Sequence, residues 1–206
     1  MAPIVPHWKQ PSHPEVQEVI RSNQGPDSYS TKSISRINLS PFTSGADLKE
    51  QTQKKIRSLK KSRKIRIQRD IEFASFDFPP CTVTSQPTYA TVQIDAKSHM
   101  NLNSDLLYIN HSCEPSLFFD ITAREVRTGP EGLKVGQELT FFYPSTEWSM
   151  VQSFDCICGT PSCLGRISGA RDLGSTRLSG QWLNFHIREL LEAEQQRQKQ
   201  QSTDKK

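Results

Sequence analysis

The sequence predicts a mainly β domain of several small sheets, with a metal-binding tail and one helix near the C-terminal end. Three observations carry this reading. Short stretches of alternating, β-branched or aromatic residues recur between turn residues from 31 to 143. Only the stretch from Gln181 to about residue 200 repeats apolar residues at helical spacing. Three cysteines crowd into Cys156-Ile157-Cys158 and Cys163, and a fourth, Cys113, stands far upstream beside a histidine.

At 206 residues the chain has room for one compact domain built on a single core. We expect a flexible N-terminus over 1–30, the main domain over 31–148, a zinc tail over 149–170, and a helix with a disordered end over 171–206. The hydrophobic share is 34% and the mean hydropathy −0.62, so part of the chain is expected outside the core. There is no apolar run of about 18 residues to span a membrane. Met1 to Gln10 has no hydrophobic signal core. The expected setting is intracellular, nuclear or cytoplasmic, where reducing conditions favour thiolate–metal sites over disulfides.

The net charge of +4 is uneven. Between Lys49 and Arg69 stand ten Lys/Arg and one acid, Glu50, making that segment +9 and the remainder of the +4 chain −5. Residues 49–72 have good helix formers but no single apolar stripe, and read as a solvated, partly helical basic insert. Lys60-Lys61-Ser62-Arg63-Lys64 adds a second reading, a nuclear-import signal or a weak nucleic-acid contact through 49–69.

Taken in order, residues 1–30 read as loop, with one helical turn around Val16, Val19 and Ile20. Ile34, Ile37 and Leu39 alternate and predict a strand closed by Pro41 and Gly45. Phe73 to Cys81 is aromatic and ends in Pro79-Pro80. Thr88 to Ile94 alternates with β-branched residues and predicts a strand. Asp105 to Asn110 is a short apolar piece. Ser116–Ile121 and Glu125–Arg127 predict two strands around a turn, and Gln137–Tyr143 another after the turn residues Gly129-Pro130-Glu131-Gly132. Trp182, Phe185, Ile187, Leu190 and Leu191 mark the helix.

Zinc takes soft, deprotonated ligands in a tetrahedron. Cys156 and Cys158 can both turn inward only if the backbone kinks, and Gly159, Pro161 and Gly165 supply the kink. Cys163 completes three ligands. The fourth must come from elsewhere, Cys113 first and His111 second. A set of ordinary buried thiols is the competing reading. Cys81 lies outside the pattern.

These residues resemble the SET-domain lysine methyltransferases. Asn110-His111-Ser112-Cys113-x-Pro115 looks like the family's NHSCxP motif, and Glu138-Leu139-Thr140-Phe141-Phe142-Tyr143 like its ELT-aromatic-x-Tyr motif. Cys156-x-Cys158-Gly159-x3-Cys163-x-Gly165 looks like its post-SET zinc tail. The likeness is firm over about 88–165 and faint over 31–48, and is closer still to small SET/post-SET proteins of filamentous fungi. It implies small β-sheets with knot-like C-terminal threading, and S-adenosylmethionine as cofactor, with Asn110 and His111 at its adenine end. It implies Tyr143 as the catalytic residue, Tyr108 and Phe141 along the substrate channel, and a structural zinc on Cys113, Cys156, Cys158 and Cys163. No glycine stands at 35–39, where the family carries G-x-G, and Phe142 replaces its usual acid or amide. Methyl transfer needs a neutral, desolvated amine about 3 Å from the methyl carbon. A phenol such as Tyr143 can align that amine without carrying charge at neutral pH. The implied substrate is a protein lysine. A silent SET-like binding module and a small-molecule enzyme on the same fold are the alternatives.

Overall fold

The computed structural model describes residues 6–25, 28–41, 72–76 and 80–203. Residues 49–71 of the expected basic insert lie outside them, as do residues 1–5 and 204–206 at the two ends.

Strand β1 (Gln17–Gly25) pairs antiparallel with β2 (Ser28–Ser35). This corrects the expectation of a loop with one helical turn for this part of 1–30. Val16, Val19 and Ile20 sit at a spacing that fits a helix. The antiparallel pairing with β2 from Gln17↔Ser35 to Gly25↔Ser28 overrides that spacing. The segment ahead of β1 is docked too. The buried Asp105 carboxylate accepts from Trp8 Nε1 at 2.8 Å, from Gln10 Nε2, and from the Ser12 backbone N–H at 2.8 Å.

Five strands form the main sheet, in the order β3 (Glu72–Ser75), β9 (Glu125–Thr128), β8 (Leu117–Asp120), β10 (Thr140–Phe141) and β7 (Asn110–His111). β10 runs parallel to both its neighbours, whereas the other pairs are antiparallel. The expected strand 137–143 therefore ladders with this sheet over only two residues. Before that it pairs elsewhere: the Leu139 N–H bonds the Ser33 carbonyl at 2.8 Å, and Ile34 bridges Glu138. After it, Pro144 sits in a 3-10 turn, Tyr143–Ser145.

A three-stranded sheet takes the order β4 (Thr82–Thr84), β6 (His99–Asn101), β5 (Thr91–Gln93). β5 is shorter than the expected 88–94. Thr88 Oγ1 accepts from the Ala90 N–H and Thr91 Oγ1 from the Thr88 N–H, which holds that stretch as a turn. A 3-10 turn over Asp105–Tyr108 leads into β7. The last ribbon is β11 (Phe154–Asp155) with β12 (Arg166–Ile167). Two helices follow, α1 (Ala170–Arg177), which the sequence reading did not assign, and α2 (Phe185–Thr203). Among the described residues no helix is long and apolar enough to cross a membrane.

Side-chain alternation along β10 divides the interior in two. Leu139 and Phe141 enter the main core with Phe76, Met100, Leu106, Leu117, Phe119 and Val126. Phe142 points the other way and packs with Ala170, Leu173, Leu178 and Ile187. The strand that carries the ELT-aromatic motif is thus gripped from both sides.

Asn184 fastens α2 to this centre. It is 2% exposed. Its Nδ2 donates to the Phe119 carbonyl at 2.8 Å and the Ser145 carbonyl at 3.0 Å, while Oδ1 accepts from the Ile121 N–H at 2.9 Å. Removing its side chain would take this partner from the Phe119 carbonyl and the Ile121 N–H in a dry setting, while the Ser145 carbonyl keeps the Asn184 N–H at 3.1 Å. Asn184→Ala should lower stability by roughly 2–3 kcal/mol in urea unfolding. An unchanged midpoint would show that the contact is not part of the fold's stability.

Candidate functional site

Parallel pairing of β7 and β10 sets Asn110 opposite Thr140 and His111 opposite Phe141. Two motifs thirty residues apart in sequence thereby become neighbours. Side chains and backbone then lock the pair. The Tyr143 N–H donates to His111 Nδ1 at 3.2 Å, and the Tyr143 hydroxyl donates to the Ile109 carbonyl at 3.2 Å. Because Nδ1 accepts, the proton of the neutral ring is on Nε2, which faces Cys113 Sγ at 3.5 Å. Burial pushes the His111 pKa down to about 4, so the ring is uncharged at neutral pH. Burial also pushes the Tyr143 phenol well above its ordinary range.

Around Tyr143 stand His111 at 5.3 Å, Phe141 at 4.6 Å and Phe154 at 6.0 Å between ring centroids. Phe141 is stacked in turn on Phe119 at 3.9 Å. Phe154 was not singled out from sequence as a site residue; its only signal was an aromatic just ahead of the first tail cysteine. The four rings face a cleft of about 1730 Å³ between the main sheet, β2, β5 and the tail. Single-ligand pockets run to about 1,000 Å³, so this cleft has room for two molecules. Asn110 lines it, with its Nδ2 bonded to the Thr31 carbonyl of β2 at 2.8 Å. β7 is the edge strand of its sheet among the described residues, so its outer backbone groups have no strand to pair with. Such an edge could take a flat heterocycle.

Tyr108 lies elsewhere. It is 1% exposed, its hydroxyl accepts from Arg21 Nη2 at 3.1 Å, and Trp8 covers it at 6.0 Å. It is not among the residues that line the cleft. The structure thus brings together Asn110, His111, Phe141 and Tyr143 but not Tyr108.

The cysteines meet at the edge of the same cleft. The Cys156 N–H bonds the Gly165 carbonyl at 2.7 Å, closing the loop between β11 and β12. Gly159 and Gly165 take φ of 68° and 71°, the left-handed values that the kink requires. Glu114 Oε1 accepts from the Ser162 N–H and hydroxyl, tying the loop to the segment after β7. The sulfurs of Cys113, Cys156, Cys158 and Cys163 all lie within 4.8 Å of one another, and those of Cys113 and Cys156 are 4.0 Å apart. A tetrahedron with metal–sulfur bonds of about 2.3 Å has edges of about 3.8 Å, so the four can hold one ion. Backbone N–H groups already point at the sulfurs, from Leu164 to Cys113 at 3.3 Å and from Gly165 to Cys163 at 3.5 Å. Such donors stabilise thiolates. Burial pushes Cys156 up to about 12. For Cys158 burial also opposes ionisation, but hydrogen bonds, led by the Thr160 hydroxyl, prevail and bring it to about 6. Cys81 stays apart and donates to the Leu102 carbonyl at 3.4 Å.

Glu147, also not singled out from sequence, lines the cleft as well. Burial pushes its carboxyl up to about 7, against hydrogen bonds from the Gln93 N–H and the Thr146 hydroxyl.

A scan of protein-family models finds no match to this chain. Among curated proteins, the methyltransferase flvH of Aspergillus flavus is 39% identical over 205 residues, covering 99% of this chain and 97% of flvH.

Two outcomes follow from the geometry. Cobalt(II) titrated into chelator-treated protein should bind one ion per chain with a thiolate charge-transfer band. Cys158→Ser should weaken that binding and loosen the 156–165 loop to proteolysis, because ligation contributes folding free energy. For Glu147, the folded pKa is raised from 4.5 to about 7. Its contribution is therefore fully present below pH 4.5 and fades as pH rises through about 7, by on the order of 3 kcal/mol. Glu147→Gln should flatten the stability profile between those values. Parallel profiles for the two proteins would contradict this.

Proposed function

We infer the function from one premise: the chain belongs to the same family as the methyltransferase flvH. Within that family of methyltransferases, we read this protein as a SET-type enzyme that uses S-adenosylmethionine to methylate the side-chain amine of a protein lysine. The observation that carries this is the convergence of Tyr143, His111, Phe141 and Phe154 on one cleft beside a free sheet edge.

S-adenosylmethionine, when bound, supplies an electrophilic methyl group on sulfur. The edge backbone of Asn110 and His111 would hold its adenine end. The uncharged rings favour a cationic guest through their faces while excluding water from it. Tyr143, its own proton committed to the Ile109 carbonyl, turns oxygen lone pairs to the cleft, where they can orient an amine. Phe141, without a hydroxyl, leaves space for an amine that already carries methyl groups. The four cysteines would hold a structural zinc that pins Phe154 into the ring of aromatics. We place the protein inside the cell, in nucleus or cytoplasm, and assign the basic tract 49–69 a weak contact with nucleic acid.

A second reading takes a free small amine as the acceptor. The Glu147 carboxyl on the cleft favours it, because one carboxylate can hold a small cation without contacts to a surrounding peptide.

Calorimetric titration tests the proposal. S-adenosylmethionine should bind with one site per chain. Tyr143→Phe should keep that binding yet lower turnover on an amine acceptor on the order of a hundredfold, the cost of losing one positioned polar group. No heat of binding to the metal-loaded protein would refute the reading.

A further inference from the structure

Glu147 follows Tyr143 by one turn, its N–H bonded to the Tyr143 carbonyl at 3.1 Å. Only one of its carboxyl oxygens is occupied. Oε1 accepts from the Gln93 N–H at 2.8 Å and from the Thr146 hydroxyl at 3.1 Å. Among the described residues Oε2 has no partner, and no neighbouring charge acts on the group. Nor is Oε2 sealed off. The sealed polar atoms without partners among the described residues are Gln17 Oε1, His99 Nδ1 and Ser104 Oγ. Oε2 is therefore accessible, and Glu147 is among the residues that line the cleft.

The other acids along that cleft are differently placed. Glu138 pairs with Lys32 and Asp155 with Arg166. Glu114 bonds Ser162, and Glu131 is exposed. Among these acids Glu147 joins a half-buried position to an unpartnered oxygen. An uncompensated carboxyl in such a place is costly to the fold and marks a site for a ligand of opposite charge.

We propose that Glu147 recognises the methyl acceptor: its free Oε2 binds the ammonium form of an incoming amine and takes one proton from it. The N–H bond breaks with its electron pair left on nitrogen, and the proton joins Oε2. The products are a neutral amine and a neutral carboxylic acid. Burial favours this exchange twice, because it disfavours the carboxylate and the ammonium alike. The proposal rests on the amine-methylation reading above.

The test uses n-butylamine as probe and 1-butanol as its uncharged control, with the full metal-loaded chain and no methyl donor. Millimolar n-butylamine should raise the melting temperature of the wild type, and 1-butanol should not. Glu147→Gln should lose the amine's effect, and Glu147→Asp should keep part of it. The folded state of Glu147→Gln is checked by its S-adenosylmethionine binding, which should match the wild type. Amine affinity should rise roughly tenfold from pH 6 to pH 8 as a carboxyl with a pKa of about 7 ionises. The surrounding segments carry Asp95, His99, His186 and Glu189. Both histidines are held below 6.5 by burial and stay neutral across the upper part of that window. Equal effects of n-butylamine on wild type and Glu147→Gln, or an affinity flat from pH 6 to 8, would overturn the assignment. Donor binding with no amine discrimination would sink this proposal alone. Amine discrimination without donor binding would support it and sink methyl transfer from S-adenosylmethionine.

Discussion

Parallel pairing between β7 and β10 is the constraint on which the rest of the molecule depends. Parallel neighbours need a long crossover, and here the crossover carries two strands of the main sheet: β8 and β9 lie between the two strands in sequence. β10 then inserts between β8 and β7, so its two residues satisfy backbone groups on both sides. Phe141 is committed to one core and Phe142 to the other. A slip of one residue would exchange these two faces, withdraw Tyr143 from His111, and separate the two motifs that line the cleft. The position of the tyrosine is therefore a consequence of how the protein's interior is divided.

The tail is held by different physics. Its ribbon has only two residues per strand, too few to be stable alone. Four thiols packed within 4.8 Å would repel one another if ionised together, so the arrangement calls for a cation. With an ion in place, the loop is held on the segment after β7 by Cys113 and by the Glu114 bonds to Ser162. Phe154, two residues ahead of Cys156, is carried against His111 at 5.5 Å. Metal affinity and the shape of the cleft are coupled through that short span.

Much of this was legible in the sequence. Turn residues and alternation predicted strands near β8 and β9, the helical stripe predicted α2, and the cysteine spacing grouped Cys156, Cys158 and Cys163, with Cys113 ahead of His111 as the fourth ligand. The misses have different causes. Gln17, Trp8 and Ser12 are polar or isolated, yet they pack because Asp105 and Ser33 offer them hydrogen bonds. A reading based on apolar periodicity does not register partners that are polar and distant in sequence. The resemblance implied Tyr108 along the substrate channel; its hydroxyl accepts from Arg21, and it is not among the residues that line the cleft. α1 is eight residues long and interrupted at Gly174, which takes φ of 71°, so it shows no stripe.

The electrostatics of the cleft tie the proposed chemistry to the fold. His111 is kept neutral by burial, Tyr143 keeps its proton, and the surrounding rings are uncharged. A wall of this kind offers no competing anion to a positively charged sulfur, only π-faces and lone pairs, which attract it without quenching its reactivity. Glu147 belongs to the same chain segment as Tyr143, and its carboxyl is anchored through Gln93 on β5. Glu147 is thus anchored on a different sheet from the one that carries the aromatic ring. In the proposed reaction this separation matters. A carboxylate beside the donor would lower the energy of the reactant cation more than that of the transition state, where its charge is dispersing. A carboxylate on the acceptor side instead removes the charge that would make the amine unreactive.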